Sequence, residues 1–125
     1  MRALVRAHTR SITMFRTLPP PPPPSGTPHL ALIQLMCGAD KSLNLSAARA
    51  AIADAARGGA NLVVLPECFN SPYATDQFPK YAELIPERRE DVDENAHPST
   101  SMLSAAAAEH GIFLVGGERS LVPPS

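Results

Sequence analysis

Glu67 is the carboxylate best placed for chemistry in this sequence. It follows Pro66 at the end of the apolar run Asn61 to Pro66 (NLVVLP), and the carboxyl ends of strands are where open α/β sheets gather ligands and catalytic groups. A carboxylate there is a candidate general base, able to take a proton from a nucleophile or a water. A strand-end Glu also serves as a cap or as one half of an ion pair, and the residue alone does not choose between these roles. Cys68 beside it is a candidate nucleophile by type. Successive side chains of an extended strand point to opposite faces, however, so Glu67 and Cys68 should diverge, and Cys68 reads as a packing residue. Cys37, followed by Gly38, reads as structural in the same way. None of the four histidines, His8, His29, His97 and His110, stands in a ligand spacing with another His, Cys or acid. No metal and no cofactor is therefore expected. Gly116-Gly117 lacks the rest of a GxGxxG pattern and reads as a turn.

The elements that must position Glu67 are written as short apolar runs alternating with alanine-rich stretches. His29 to Met36 (HLALIQLM), Asn61 to Pro66 and Ile112 to Val115 have the length and continuity of buried, parallel-type strands. Between the first two, Leu45, Ala48, Ile52 and Ala55 recur at helical spacing, with Ser42 or Asn44 as candidate cap and Gly58-Gly59 as the stop. A second helix is predicted from about Thr100 to His110, with Ser99 as N-cap, Gly111 just past its end and Leu103, Ala106 and Ala107 as its buried stripe. Strand, helix, strand, helix, strand specifies an α/β architecture built of βαβ units. The connection from Glu67 to Pro98 is too long to be a bare turn and is a candidate functional loop. Phe78 to Leu84 adds a short helix to it, and Glu87 to Asn95 (ERREDVDEN) reads as a solvated, mobile excursion.

The 125 residues divide at Pro28. Residues 1–39 carry four arginines and no acid, whereas the rest carries seven basic against twelve acidic residues. With no basic stripe in the folding part, no nucleic-acid partner is expected. No apolar run approaches the roughly 18 residues that cross a bilayer, so no membrane partner is expected either. Two cysteines make no disulfide framework, which favours a reduced, intracellular setting. Met1 to Arg16 has the composition of a mitochondrial transit segment, with Arg2, Arg6 and Arg10 on one helical stripe; an extension ahead of initiation at Met14 fits the same residues. Six prolines, Pro19 to Pro24, then form a stiff polyproline II spacer, and an SH3-type ligand is the weaker reading of that run. Residues 1–28 are thus expected to be disordered or removed, residues 29–125 to fold, and the location to be cytoplasmic or mitochondrial.

As a set, HLALIQL, GGANLVVLPE, CFNSPY, FPKYAELIP and GIFLVGGERS resemble the nitrilase superfamily of carbon-nitrogen hydrolases, most closely its omega-amidase branch. The resemblance covers His29 to Arg119, interrupted by the acidic insert. It implies the N-terminal part of an α-β-β-α sandwich, paired with further copies as a homodimer or larger homo-oligomer. It also implies hydrolysis of small dicarboxylate monoamides such as 2-oxoglutaramate and 2-oxosuccinamate by a Glu-Lys-Cys triad through a thioester. Glu67 falls on the general base of that triad, and Tyr73 and Phe69 fall in the loop that walls the substrate pocket.

Neither cysteine matches the family nucleophile, and the motifs that carry the Lys and the Cys are not found in this sequence. A base without a nucleophile performs no covalent catalysis. The chain therefore reads as an N-terminal portion of the catalytic domain, with an inactive interaction or regulatory half-domain as the alternative. A single helix-covered sheet would leave one face and an edge open.

Overall fold

The structure is a computed structural model that describes residues 26–117. The expectations for the arginine-bearing segment and the proline run lie outside those residues. Within them the order is β1 (Leu30–Leu32), α1 (Lys41–Arg57), β2 (Leu62–Val64), α2 (Phe78–Tyr81), a 3-10 turn (Arg89–Asp91), α3 (Pro98–His110) and β3 (Phe113–Val115). The strands form one parallel sheet in the order β1-β2-β3, with Leu32 opposite Val64 and Val64 opposite Val115. This is the predicted pair of βαβ units. The strands are shorter than their apolar runs because a ladder needs a partner as well as a propensity. Beyond the three paired residues of β1, the bond from Ile33 N–H to Val64 O, 2.9 Å long, continues the pairing.

Right-handed crossovers that step in one direction across a sheet put their helices on one side of it. Accordingly α1 and α3 touch each other, α1 packs on β2 and α3 on β3. The core lies between these helices and the sheet: Ile52 and Ala48 from α1, Val63 and Leu65 from the β2 run, Ala106 from α3, then Ile112 and Phe69. Alanines at Ala48 and Ala106 let both helix axes approach the strands closely. The opposite face is open, as a single helix-covered sheet implies. Leu30, Leu32, Phe113 and Val115 point outward, Leu32 being 72% exposed.

Two helix starts differ from expectation. Asp40, not Ser42 or Asn44, caps α1: its Oδ1 accepts from Ser42 N–H (2.9 Å), Leu43 N–H (3.2 Å) and the Ser42 hydroxyl (2.6 Å). Those hydrogen bonds, led by that from Ser42, hold the Asp40 carboxyl below its usual range. Asn44 is buried and brackets Gly38 instead, accepting from its N–H and donating to its carbonyl. In α3, Ser99 lies inside the first turn behind Pro98, a residue suited to the first helical position because its missing N–H has no intrahelical partner there anyway.

The free N–H of Ser99 is met from a distant element. Glu83 Oε2 accepts it at 2.9 Å, and Glu83 Oε1 accepts the Ser99 hydroxyl at 2.7 Å. A carboxylate at a helix N-terminus also suits the positive end of the helix dipole. Lys41, at the start of α1, donates to the same Oε1 at 2.7 Å and to Tyr81 O at 2.7 Å. Tyr81 in turn donates its hydroxyl to Ala39 O. The long connection is thus fastened to both helices. The charged excursion is exposed and closes on itself through Arg88 to Asp91 and through the Asp93 carboxylate to the Asn95 and Ala96 N–H groups.

Candidate active site

Three loops meet at the carboxyl edge of the sheet, and Glu67 stands on the middle one. β2 is the central strand, so the segment leaving it is flanked by the loop after β1, which carries Cys37, and by Gly116-Gly117 after β3. Pairing continues past the strand ends: Leu65 N–H donates to Val115 O at 2.9 Å, and Cys68 N–H to Gly117 O at 3.1 Å. Gly117 lies so close that a Cβ there would meet Glu67 N at 2.8 Å and Pro66 C and O at 2.9 Å. Sequence reading made Gly117 a turn residue; close packing against the backbone of Glu67 is the additional reason for a glycine.

At Cys68 the chain turns. Its φ is +59°, the one non-glycine residue with positive φ among the described residues, a conformation that costs an L-residue on the order of 1–2 kcal/mol. Glu67, in phase with the core-facing Val63 and Leu65, is exposed, while Cys68 is 5% exposed. The two side chains diverge as expected, but through a left-handed turn rather than an extended strand. The thiol is buried and the carboxylate is presented to solvent.

Phe69 is fully buried in the core. Asn70 Nδ2 donates to the Ser99 hydroxyl at 3.0 Å, which joins this turn to the Glu83 cluster. Tyr73 is 79% exposed, with its ring edge-on to Phe78 at 6.2 Å between centroids. Cys37 donates its thiol to Phe69 O at 3.1 Å, and burial pushes that thiol above its ordinary range. The structure therefore gathers Glu67, Cys68, Phe69 and Cys37 at one edge and sets Tyr73 further out on the loop. Lys41 and Glu83 carry no local sequence signal and Ser99 reads only as an N-cap, because the cluster that fastens this loop is drawn together from three separate segments. Among the described residues no group of three or more His, Cys, Asp or Glu side chains could hold a metal ion, and no helix is long and apolar enough to cross a membrane.

A profile of the carbon-nitrogen hydrolase family matches residues 29–122. Over 91 residues the chain is 50% identical to omega-amidase NIT2 of Mus musculus, covering 73% of this chain and 29% of that protein. Over 100 residues it is 46% identical to the chloroplastic omega-amidase of Arabidopsis thaliana, covering 80% of this chain and 26% of that one. The crystal structure of Saccharomyces cerevisiae Nit3, a member of branch 10 of the nitrilase superfamily, superposes with a TM-score of 0.64 at 42% identity, covering 75% of this chain and 34% of Nit3. The chain thus spans under a third of the length of these curated relatives. With a family match across most of its length and a parallel α/β fold like that of Nit3, this chain belongs to the carbon-nitrogen hydrolase family.

Proposed function

We propose that Glu67 is the general base of an omega-amidase that hydrolyses small dicarboxylate monoamides, such as 2-oxoglutaramate and 2-oxosuccinamate, to the acid and ammonia. The observation that carries this reading is the exposed carboxylate at the carboxyl end of the central strand, on a turn held by the Cys68 to Gly117 hydrogen bond. A base must be reachable and stand on a fixed backbone, and this arrangement meets both demands. In the proposed cycle Glu67 takes the proton of a cysteine thiol, and the thiolate attacks the amide carbon. A Lys ammonium steadies the oxyanion, Glu67 returns the proton to the departing nitrogen, and ammonia leaves a thioester. Water, deprotonated by Glu67, then releases the acid and restores the thiol. Tyr73 borders the substrate with its exposed ring, and Phe69 supports that wall from the core.

The nucleophile and the Lys of this cycle match no residue of the 125. Lys41 is committed to Glu83 and Tyr81 O, and Cys68 is turned away from Glu67. This chain by itself is therefore proposed to lack amidase activity. The test is ammonia release from 2-oxoglutaramate and succinamate by the purified chain, with Glu67→Gln beside it. No release above the control is expected, and turnover abolished by Glu67→Gln would place the nucleophile within these residues and overturn the assignment. In-frame coding sequence beyond Ser125 that supplies both residues carries the enzyme reading, and Glu67→Gln in that longer product should then abolish turnover. A second reading, an inactive half-domain that pairs with other copies, is favoured by the exposed apolar face of β1 and β3. On either reading the proposed location is cytoplasmic or mitochondrial.

A further inference from the structure

We propose that Cys37 and Cys68 form a dithiol that hydrogen peroxide closes to an intramolecular disulfide beside Glu67. This does not rest on the amidase reading. The loop after β1 carries Cys37 to the turn after β2, against the residue that follows Cys68. The hydrogen bond from Cys37 Sγ to Phe69 O at 3.1 Å lies at that place. Cys68 directly precedes Phe69, so the Cys37 sulfur touches the residue next to Cys68. Disulfides span roughly 4.4–6.8 Å between Cα atoms.

Side-chain direction agrees. Cys37 continues the phase of Ile33 and Leu35, both packed against the core, and is itself partly buried. Cys68 leaves the phase of its own strand at the left-handed turn and is buried as well. Both thiols therefore lie on the inner side of the same edge, and both are free. Burial raises the Cys37 pKa above its ordinary 9.0, and the negative charge of Cys68 raises it further, as expected of two sulfurs within electrostatic reach.

Cys37 is the more accessible sulfur and meets the oxidant first. Its thiolate attacks one peroxide oxygen, the O–O bond breaks, and the departing hydroxide takes a proton to become water, leaving a sulfenic acid at Cys37. The Cys68 sulfur attacks the sulfenic sulfur, the S–S bond forms, and the hydroxyl leaves as a second water after taking up the Cys68 proton. Two thiols and one peroxide give one disulfide and two waters; the two electrons lost by sulfur reduce the peroxide. Because the thiolate is the reacting form, closure is slow at neutral pH and accelerates as pH rises toward and past 9. The bond would pin the loop after β1 to the turn that carries Glu67.

The test uses the whole chain, reduced, freed of reductant and treated with hydrogen peroxide in mildly alkaline buffer, with and without concentrated urea. Digestion and mass spectrometry should show a Cys37–Cys68 peptide pair lighter by two hydrogens. It should come from a species that stays monomeric on a non-reducing gel, be reversed by dithiothreitol, and be absent in Cys37→Ser and in Cys68→Ser. Closure should be roughly tenfold or more faster without urea, because folding holds the sulfurs together where the open chain must close a long loop. Equal rates with and without urea would overturn the proposal. So would sulfinic acids or intermolecular dimers in place of the bridge.

Discussion

Replacing Glu83 should loosen the start of α3 and the loop that carries the candidate site. Its side chain is 6% exposed and pairs with Lys41, which is 26% exposed. The carboxylate accepts from the Lys41 ammonium, the Ser99 hydroxyl and the Ser99 N–H. Removing one partner of a buried pair costs about 3–5 kcal/mol, largely because the other charge is left without compensation. Here Lys41 keeps the Tyr81 carbonyl and some water, so the lower part of that range, about 3 kcal/mol, is expected for Glu83→Ala. Glu83→Gln should lose most of it, because the amide NH2 would face donors on at least one side. Lys41→Met leaves the Ser99 bonds intact, and the coupling between the two sites in a double-mutant cycle should be roughly 1–3 kcal/mol. Amide hydrogen exchange of the whole chain reads this locally: about 3 kcal/mol is more than a hundredfold faster exchange in the first turn of α3. A change of less than about 0.5 kcal/mol, the size of an ordinary surface substitution, would show that the cluster is incidental and refute the reasoning.

Gly117→Ala puts a Cβ against the backbone of Pro66 and Glu67 and should destabilise by about 1–3 kcal/mol. Gly116→Ala meets the Leu103 side-chain end, which can turn aside, so urea denaturation should rank it as the milder change. Asp40 titrates below its usual 3.8 because Ser42, first through its hydroxyl, and the Leu43 N–H bind the ionised form. The sign follows: this contribution is complete above the unfolded value and is lost as pH falls through the lower folded one. Exchange in the first turn of α1 should therefore rise in acid, and Asp40→Asn, which caps without ionising, should flatten that dependence. The open face predicts binding of a hydrophobic dye by the 125-residue chain, reduced by Leu32→Lys or Val115→Lys; unchanged dye fluorescence would mean that the face is covered. Residues 1–28 fused to a reporter should carry it to mitochondria on the transit reading, and a uniformly cytosolic reporter would favour initiation at Met14.

What was legible in the sequence was local. Apolar runs bounded by Gly58, Gly59 and Gly111 located both helices and all three strands, because propensity and chain reversal act within a few residues. The strands are shorter than the apolar runs, since residues such as Leu35 and Met36 are as apolar as Leu30 but have no ladder partner. The α1 cap lies earlier than the sequence pattern suggests because Ser42 and Asp40 are both good caps, and only the geometry gives the role to Asp40 while Ser42 becomes one of its donors. Glu67 was legible from Pro66 and the run before it. The left-handed turn at Cys68 was not, because cysteine is no turn former and its conformation is imposed by contacts on either side.

Those contacts explain why a carboxylate on a loop can be held like one on a strand. The middle strand ends at Val64, yet the next residues remain bonded to both neighbours. Leu65 and Cys68 are tied to the β3 side, and Phe69 is tied through its carbonyl to Cys37 on the β1 side. Phe69 is buried beneath the turn, and Asn70 is tied to the first turn of α3. Glu67 is thus exposed in the middle of a segment whose following residues are each fixed from a different direction. Strain at Cys68, on the order of 1–2 kcal/mol, persists because these contacts over-determine it. The φ of Cys68 turns only the chain that follows its N–Cα bond, so the turn directs Cys68 and Phe69 into the core and leaves Glu67 exposed at the strand's end. The turn therefore lets the chain bury Cys68 and Phe69 directly after an acid that stays in solvent at the sheet's carboxyl edge.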